Sequence, residues 1–217
     1  MSDSTAPLGQ AKYQVRLDWG RAGAERILTG AHVVVLVDAL QFTTAVVLAA
    51  EQGTETALAD ARGDASGIAA ALAGRDVVVL AASLRNRTAV AERILALQEE
   101  RGERVVVAIV AAGERTRAGA DAARDGELRF AIEDQLVAGA VVDALVGVGI
   151  DHTSPEAAVA SAAFEGLRHA ATHLIGASGS AMELTGADPG LRADVRLATQ
   201  RDVTRVVPEL RDGVFRA

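Results

Sequence analysis

Asp38 stands directly after Val33-Val34-Val35-Leu36-Val37 and just ahead of Ala-Leu-Gln-Phe-Thr-Thr. A carboxylate at the end of a buried strand, followed by a hydroxyl-rich helix start, can hold a hard cation or position a water. The helix N-terminus adds donors for an anion. Capping of the turn accounts for an aspartate here equally well, and its position alone does not separate the two roles.

Two further segments carry side chains suited to phosphate chemistry. In Ser83-Leu84-Arg85-Asn86, Asn86 can orient a phosphate oxygen or a water, with charge from Arg85 and Arg87. Asn86 reads equally as the cap of a helix beginning at Thr88. In Ala112-Gly113-Glu114-Arg115, continuing to Gly126–Asp134, Gly113 permits close backbone approach and Glu114 offers a ligand. Arg115 and Arg129 offer forked anion donors. Glu133 and Asp134 fall early in a helix, where compensation of the helix dipole, worth ~0.3–1 kcal/mol, also favours acids.

Several familiar chemistries are excluded. Leu40 fills the second acidic position of the D-x-D phosphatase pattern, so a nucleophilic aspartate of that class is not supported. Phosphate loops of the Walker type and G-x-S-x-G elbows are absent, and there is no cysteine. Gly147-Val148-Gly149 lacks a third glycine and a preceding strand, so it is no dinucleotide loop. His169 and His173, with Glu165 a turn earlier, lack the H-E-x-x-H pattern and read as a solvated helix face. Metal-assisted chemistry is favoured over nucleophilic serine or cysteine catalysis.

These residues need a frame. Val15 and Leu17 alternate with polar neighbours, as in an edge or half-buried strand ending at Asp18-Trp19-Gly20. The runs Val33–Val37, Val77–Leu80 and Val105–Val110 read as strands covered on both faces. Thr54–Leu58 reads as a shorter strand. Helices are expected over Ala22–Leu28, from a Thr43 or Thr44 cap to Gly53, over Asp64–Leu72, over Thr88–Arg101, and from about Phe130 to Leu145. Ala111–Arg129 reads as a polar loop. Thr153-Ser154-Pro155-Glu156 starts a further helix running to about Leu174. The tail is less regular and ends near an Asp212-Gly213 turn. The alternation predicts one α/β domain over residues 1–217: a mostly parallel central sheet flanked by helices on both faces. Ligands of such sheets bind beyond the carboxyl ends of the strands. The loops after Val37, Leu80 and Val110 qualify.

Composition narrows the partners. The formal net charge is −7, and no stretch clusters Lys or Arg with aromatics, so nucleic acid is not an expected partner. An anionic substrate would need local arginines or a metal to overcome the net repulsion. No apolar run spans a bilayer, and the N-terminus lacks the pattern of a secretory signal, so no membrane association and a soluble, cytoplasmic protein are expected. Aromatics are only 3%, so small aliphatic side chains must fill the core, with close alanine-to-backbone contacts between helices.

Taken together, the segments resemble the 2-phosphosulfolactate phosphatase family. The pieces are LDWG at 17–20, VDALQFTT at 37–44, SLRN with TAVAERI at 83–94 and AGER at 112–115. They continue with GELRFAIEDQLVAGAVVDAL at 126–145, SPEA at 154–157, SGSAMEL at 178–184 and DVRLATQRDVTRVVPELRDGVFR at 194–216. The resemblance implies a magnesium-dependent acid phosphatase with an α/β fold. Its reaction converts 2-phospho-3-sulfolactate to 3-sulfolactate and phosphate, on the route to coenzyme M. For such a phosphatase the residues themselves put forward Asp38 and Glu114 as catalytic, Glu114 as general base because it sits on a flexible loop. Asp38, Glu133 and Asp134 are expected as Mg²⁺ ligands, and Asn86, Arg115 and Arg129 as binders of a small anionic phosphorylated substrate. A homodimer is compatible with this reading.

Two departures from the family pattern stand out. Asp60–Asp76 is an Ala-rich helix with its flanks, where the family has a longer segment carrying a G-E-R-like motif and an Asn-Gly-Thr or Asn-Gly-Ser ending. Thr116–Asp125 is longer than in the family and would reshape the entrance. The shortened wall motivates an alternative, a catalytically impaired descendant that binds a small anion or a partner. A third reading is a structural subunit whose Ala-rich helices form an oligomer interface.

Overall fold

The structure is a computed structural model that describes residues 7–61, 63–115 and 126–217. Four apolar strands form its parallel centre: β1 (Val15–Trp19), β2 (Val33–Val37), β4 (Val78–Ala82) and β5 (Val107–Ala111). All five residues of β2 are buried, as expected for a strand covered on both faces. Val35 lies level with Leu80 on one side and Ile109 on the other. β1 is the edge strand beside β5, and a bridge from Val15 to Thr153 covers its outer side. The full seven-stranded order is β1-β5-β2-β4-β8-β9-β3, with β3 (Thr56–Ala57), β8 (Glu209–Arg211) and β9 (Val214–Arg216) joining antiparallel. The expected α/β class, with a mostly parallel sheet, is therefore found.

Alternate side chains of the central strands feed two apolar clusters, one on each face. Val33, Val35 and Val37 pack with Leu80 and Ile109 against α4 (Arg87–Arg101), α5 (Ile132–Gly147) and α6 (Pro155–Leu167). Val34, Leu36, Val79 and Val110 pack against α1 (Gly20–Ile27), α2 (Thr43–Glu51) and α3 (Asp64–Leu72). Helices thus flank both faces. The close contacts expected of an aromatic-poor core appear between α5 and α6, where a Cβ on Gly139 would lie 2.1 Å from the Ala160 carbonyl oxygen.

Three differences from the sequence reading concern short elements. The expected helix from Ser154 to Leu174 breaks after Leu167 and resumes as α7 (Ala171–Gly176). The polar loop after β5 contains a ribbon of two-residue strands, β6 (Glu114–Arg115) and β7 (Leu128–Arg129). The tail adds α8 (Gly179–Ala187), α9 (Arg192–Ala198) and the β8–β9 hairpin, which turns at Asp212 and Gly213. Both turn residues have positive φ, 51° and 77°, matching the hairpin preference for Asp-Gly.

Candidate active site

β2 ends inside the core and the chain turns at once, leaving Asp38 only 6% exposed. Hydroxyls fold the turn. Thr43 donates its hydroxyl to the Asp38 carbonyl at 2.9 Å and accepts the Asp38 N–H at 3.0 Å. Thr44 donates to the Ala39 carbonyl at 2.6 Å. The expectation of a Thr43 or Thr44 side-chain cap on α2 is corrected here: both hydroxyls reach backwards to carbonyls, because the tight turn presents those acceptors first.

The Asp38 carboxylate organises the turn itself. Its Oδ1 accepts the N–H groups of Gln41 at 3.2 Å and Phe42 at 3.3 Å, and its Oδ2 accepts that of Ala65 at 3.3 Å. Burial nonetheless pushes its pKa up to about 6. The three amides pull the other way, and the negative charge of Asp64 adds to the rise. Capping and a chemically poised carboxylate are one arrangement.

The Ala65 amide comes from the first turn of α3. Gly63 precedes α3 with φ +101°, and a Cβ there would lie 2.9 Å from Asp38 Oδ2. Only glycine lets the backbone come this close. Residues 63–65 therefore wall one side of Asp38.

α5 supplies the opposite side. Asp134 in its first turn is 3% exposed. Its Oδ1 accepts the Ala39 N–H at 2.7 Å and its Oδ2 the Gly113 N–H at 2.9 Å, so it clamps the loops after β2 and β5 together. Gly113 has φ +70°, and a Cβ there would lie 3.0 Å from the Arg129 carbonyl oxygen. Burial raises the Asp134 pKa well above the carboxylate range, with the charge of Asp38 as the next cause. Glu133 is also 3% exposed, and its Oε2 has no hydrogen-bond partner among the described residues.

The β6–β7 ribbon forms the rim. Glu114 is half-buried, and Gln41 Nε2 donates to its two oxygens at 3.4 Å each. Burial raises the Glu114 pKa; a hydrogen bond from Ser180 opposes the rise, and the charges of Glu133, Glu183 and Asp64 add to it. Arg129 stands opposite Glu114 in the ribbon and donates through Nη2 to Ser180 Oγ at 3.3 Å. Arg115 Nε donates to Asp64 Oδ1 at 2.9 Å, and its Nη1 to the Gly126 carbonyl at 3.1 Å.

These contacts and charge couplings link Asp38, Glu114, Glu133, Asp134, Arg115 and Arg129 in one neighbourhood. Asn86 is engaged elsewhere. Its Nδ2 donates to the carbonyls of Ala81 at 3.2 Å and Val206 at 3.0 Å, and its Oδ1 accepts the Ser83 N–H at 2.9 Å. Both amide hydrogens hold the tail against β4. Arg85 pairs with Glu51 at 2.8 Å, and Arg87 with Asp143 at 2.8 Å and Asp202 at 2.9 Å. His169 lies in the turn between α6 and α7 and His173 within α7, so the helix expected to carry both is broken between them; both are exposed to solvent. Sequence reasoning did not single out Gln41, Asp64 or Ser180 for the site. Ser180 had a signal in the SGSAMEL segment, where Ser178 caps α8 by accepting the Ala181 N–H at 3.1 Å.

The model of the 2-phosphosulpholactate phosphatase family matches residues 65–213 of the 217-residue chain. The chain belongs to that family. No curated protein compared with it matches significantly. The family's match takes in Asn86, Glu114, Arg115, Arg129, Glu133 and Asp134. Asp38 precedes the matched span and is tied to it by the Ala65 amide and by Asp134. A phosphatase family implies a small phosphorylated substrate. The longer stretch Thr116–Asp125 lies outside the described residues. No helix among the described residues is long and apolar enough to cross a membrane.

The family's chemistry raises the question of a cation. Among the described residues, no group of three or more His, Asp or Glu side chains is arranged to hold a metal. Magnesium, however, is usually held by only one or two carboxylates, with waters and substrate phosphate completing its shell. Glu133 Oε2 is buried without a partner, and Asp38 and Asp134 are buried oxygen donors whose ionisation burial opposes. A nearby cation would relieve each of them, so one or two of these hard oxygen donors would suit Mg²⁺.

Proposed function

We propose that the protein is a Mg²⁺-dependent phosphatase that hydrolyses a small acidic phosphorylated hydroxy acid. In this reading the reaction is 2-phospho-3-sulfolactate to 3-sulfolactate and phosphate, with coenzyme M synthesis in the cytoplasm as its setting. The observation that carries it is the set of buried acids Asp38, Glu133 and Asp134 beside Glu114, with Arg115 and Arg129 on the rim.

One or two of the carboxylates of Asp38, Glu133 and Asp134 would hold the ion, with waters and the substrate phosphate completing its shell. Bound there, Mg²⁺ would neutralise phosphoryl charge and make a nearby water more acidic. Glu114 is the general base: its raised pKa brings its proton affinity nearer to the working pH. Ser180, itself contacted by Arg129, steers the Glu114 carboxylate. Arg115 and Arg129 receive the substrate's anionic groups, and Arg115 must exchange its Asp64 partner to do so.

The test is phosphate release from a panel of phosphorylated hydroxy acids, measured with Mg²⁺, with chelator, and after Mg²⁺ is restored. The expected result is release that needs Mg²⁺ and returns with it. One observation favours a second reading: Asp64 already occupies Arg115 at 2.9 Å, on the side where the family's longer segment is missing. Measurable ligand binding without release above background would assign the chain to that second reading, an anion- or partner-binding descendant.

A further inference from the structure

A pocket of about 310 Å³ opens among α7, α8 and α9, and none of its lining residues belongs to the site described above. Its volume is at the lower end of small-ligand clefts, about 300–1,000 Å³. Arg192 and Arg196 face it from positions four apart on α9, together with Thr172, Thr185 and Thr199, over the buried side chain of Val195. Among the described residues, no acidic side chain lines it. Neither arginine makes an ion pair among the described residues, although the chain carries seven more formal negative than positive charges. The Thr172 hydroxyl also has no hydrogen-bond partner among them.

Two like charges four residues apart on a helix repel, by ~0.2–0.5 kcal/mol when exposed. An anion held between them reverses the sign of that interaction. Guanidinium forks bind phosphate in a two-pronged geometry, and a threonine hydroxyl adds a further donor. We propose that this pocket is a second anion site that binds a phosphate group, either free or carried by a small metabolite. The inference is independent of the phosphatase reading, because it uses none of that site's residues.

Calorimetric titration of the full chain with inorganic phosphate, and separately with glycerol 3-phosphate, tests it in the presence of chelator and at constant ionic strength. Saturable binding is expected in the native chain and in Arg129→Gln, with at least a tenfold loss in Arg192→Gln/Arg196→Gln. Both pocket arginines are exposed, so the double variant should keep the native thermal transition. Arg196→Glu alone should lose at least as much as the double variant. Tighter binding of glycerol 3-phosphate would assign the pocket to a phosphorylated metabolite, and equal or tighter binding of phosphate to the free ion. Absence of saturable binding, or equal affinity in the double variant, would overturn the proposal.

Discussion

At the scale of single residues, Asp38 combines a turn cap with a buried carboxylate. It caps its own turn through two amides and takes a third from α3, yet its burial costs enough to lift its pKa to about 6. Asp38→Asn preserves an oxygen for Gln41 and Phe42 and sets an amide NH₂ against the Ala65 N–H. Loss of that one bond should be offset by removal of a buried charge, leaving stability within about 1 kcal/mol. Mg²⁺-dependent phosphate release should fall by about 10²–10³-fold, as for removal of other charge-stabilising groups. Turnover assays and denaturant unfolding of the same variant check both halves, and unchanged turnover would remove Asp38 from the mechanism. Asp64 makes the opposite kind of prediction. Its pair with Arg115 is about one-third exposed on both sides, so it is worth ~0.2–1 kcal/mol. Asp64→Asn should lower KM by about 2–5-fold with little change in kcat. A raised KM would instead make Asp64 a positioning residue for Arg115. Asp64 was illegible as a site residue because it lies 51 positions from Arg115, and only folding brings the two together.

At the scale of elements, the longest apolar runs were the most legible. Val33–Val37 and Val107–Ala111 are strands because continuous aliphatic runs of that length bury both faces in a sheet. The β6 and β7 strands have two residues each, too few to show a period of two, and they lie within a polar stretch. Their consequence is functional, since pairing Glu114 with Arg129 sets the rim of the site. The acids at the start of α5 read first as dipole compensation, and nothing local betrays that Asp134 clamps two loops. The helix over Asp64–Leu72 was legible. That its first turn would supply an amide to Asp38 was not, since the contact depends on Gly63, with φ +101°, where an added Cβ would lie 2.9 Å from an Asp38 carboxylate oxygen. Gly63→Ala should therefore destabilise the chain by roughly 1–3 kcal/mol through backbone strain. It should also reduce phosphate release by displacing Asp38. Urea unfolding and turnover measured on one preparation check this, and a neutral effect on both would show that α3 does not wall the site.

At the scale of the whole molecule, the buried acids work against a net charge that is already −7. The folded pKa of Asp38, about 6, exceeds the unfolded aspartate value of about 3.9, so between these values the native state binds more protons than the unfolded one. The contribution of Asp38 to the stability of the metal-free protein should therefore fall as pH rises from about 4 to 6. Asp134, raised further, extends the loss to higher pH. A cation that binds these acids only in the folded state adds stability as RT ln(1 + [Mg²⁺]/Kd), and it binds their ionised forms. Saturating Mg²⁺ should accordingly raise Tm more at about pH 7.5 than at about pH 5, and Asp38→Asn should reduce the gain at the higher pH. Thermal unfolding with and without Mg²⁺ at the two pH values measures this. An equal rise at both, retained in Asp38→Asn, would mean that the ion acts on the acidic surface at large and not on the carboxylates at the end of β2.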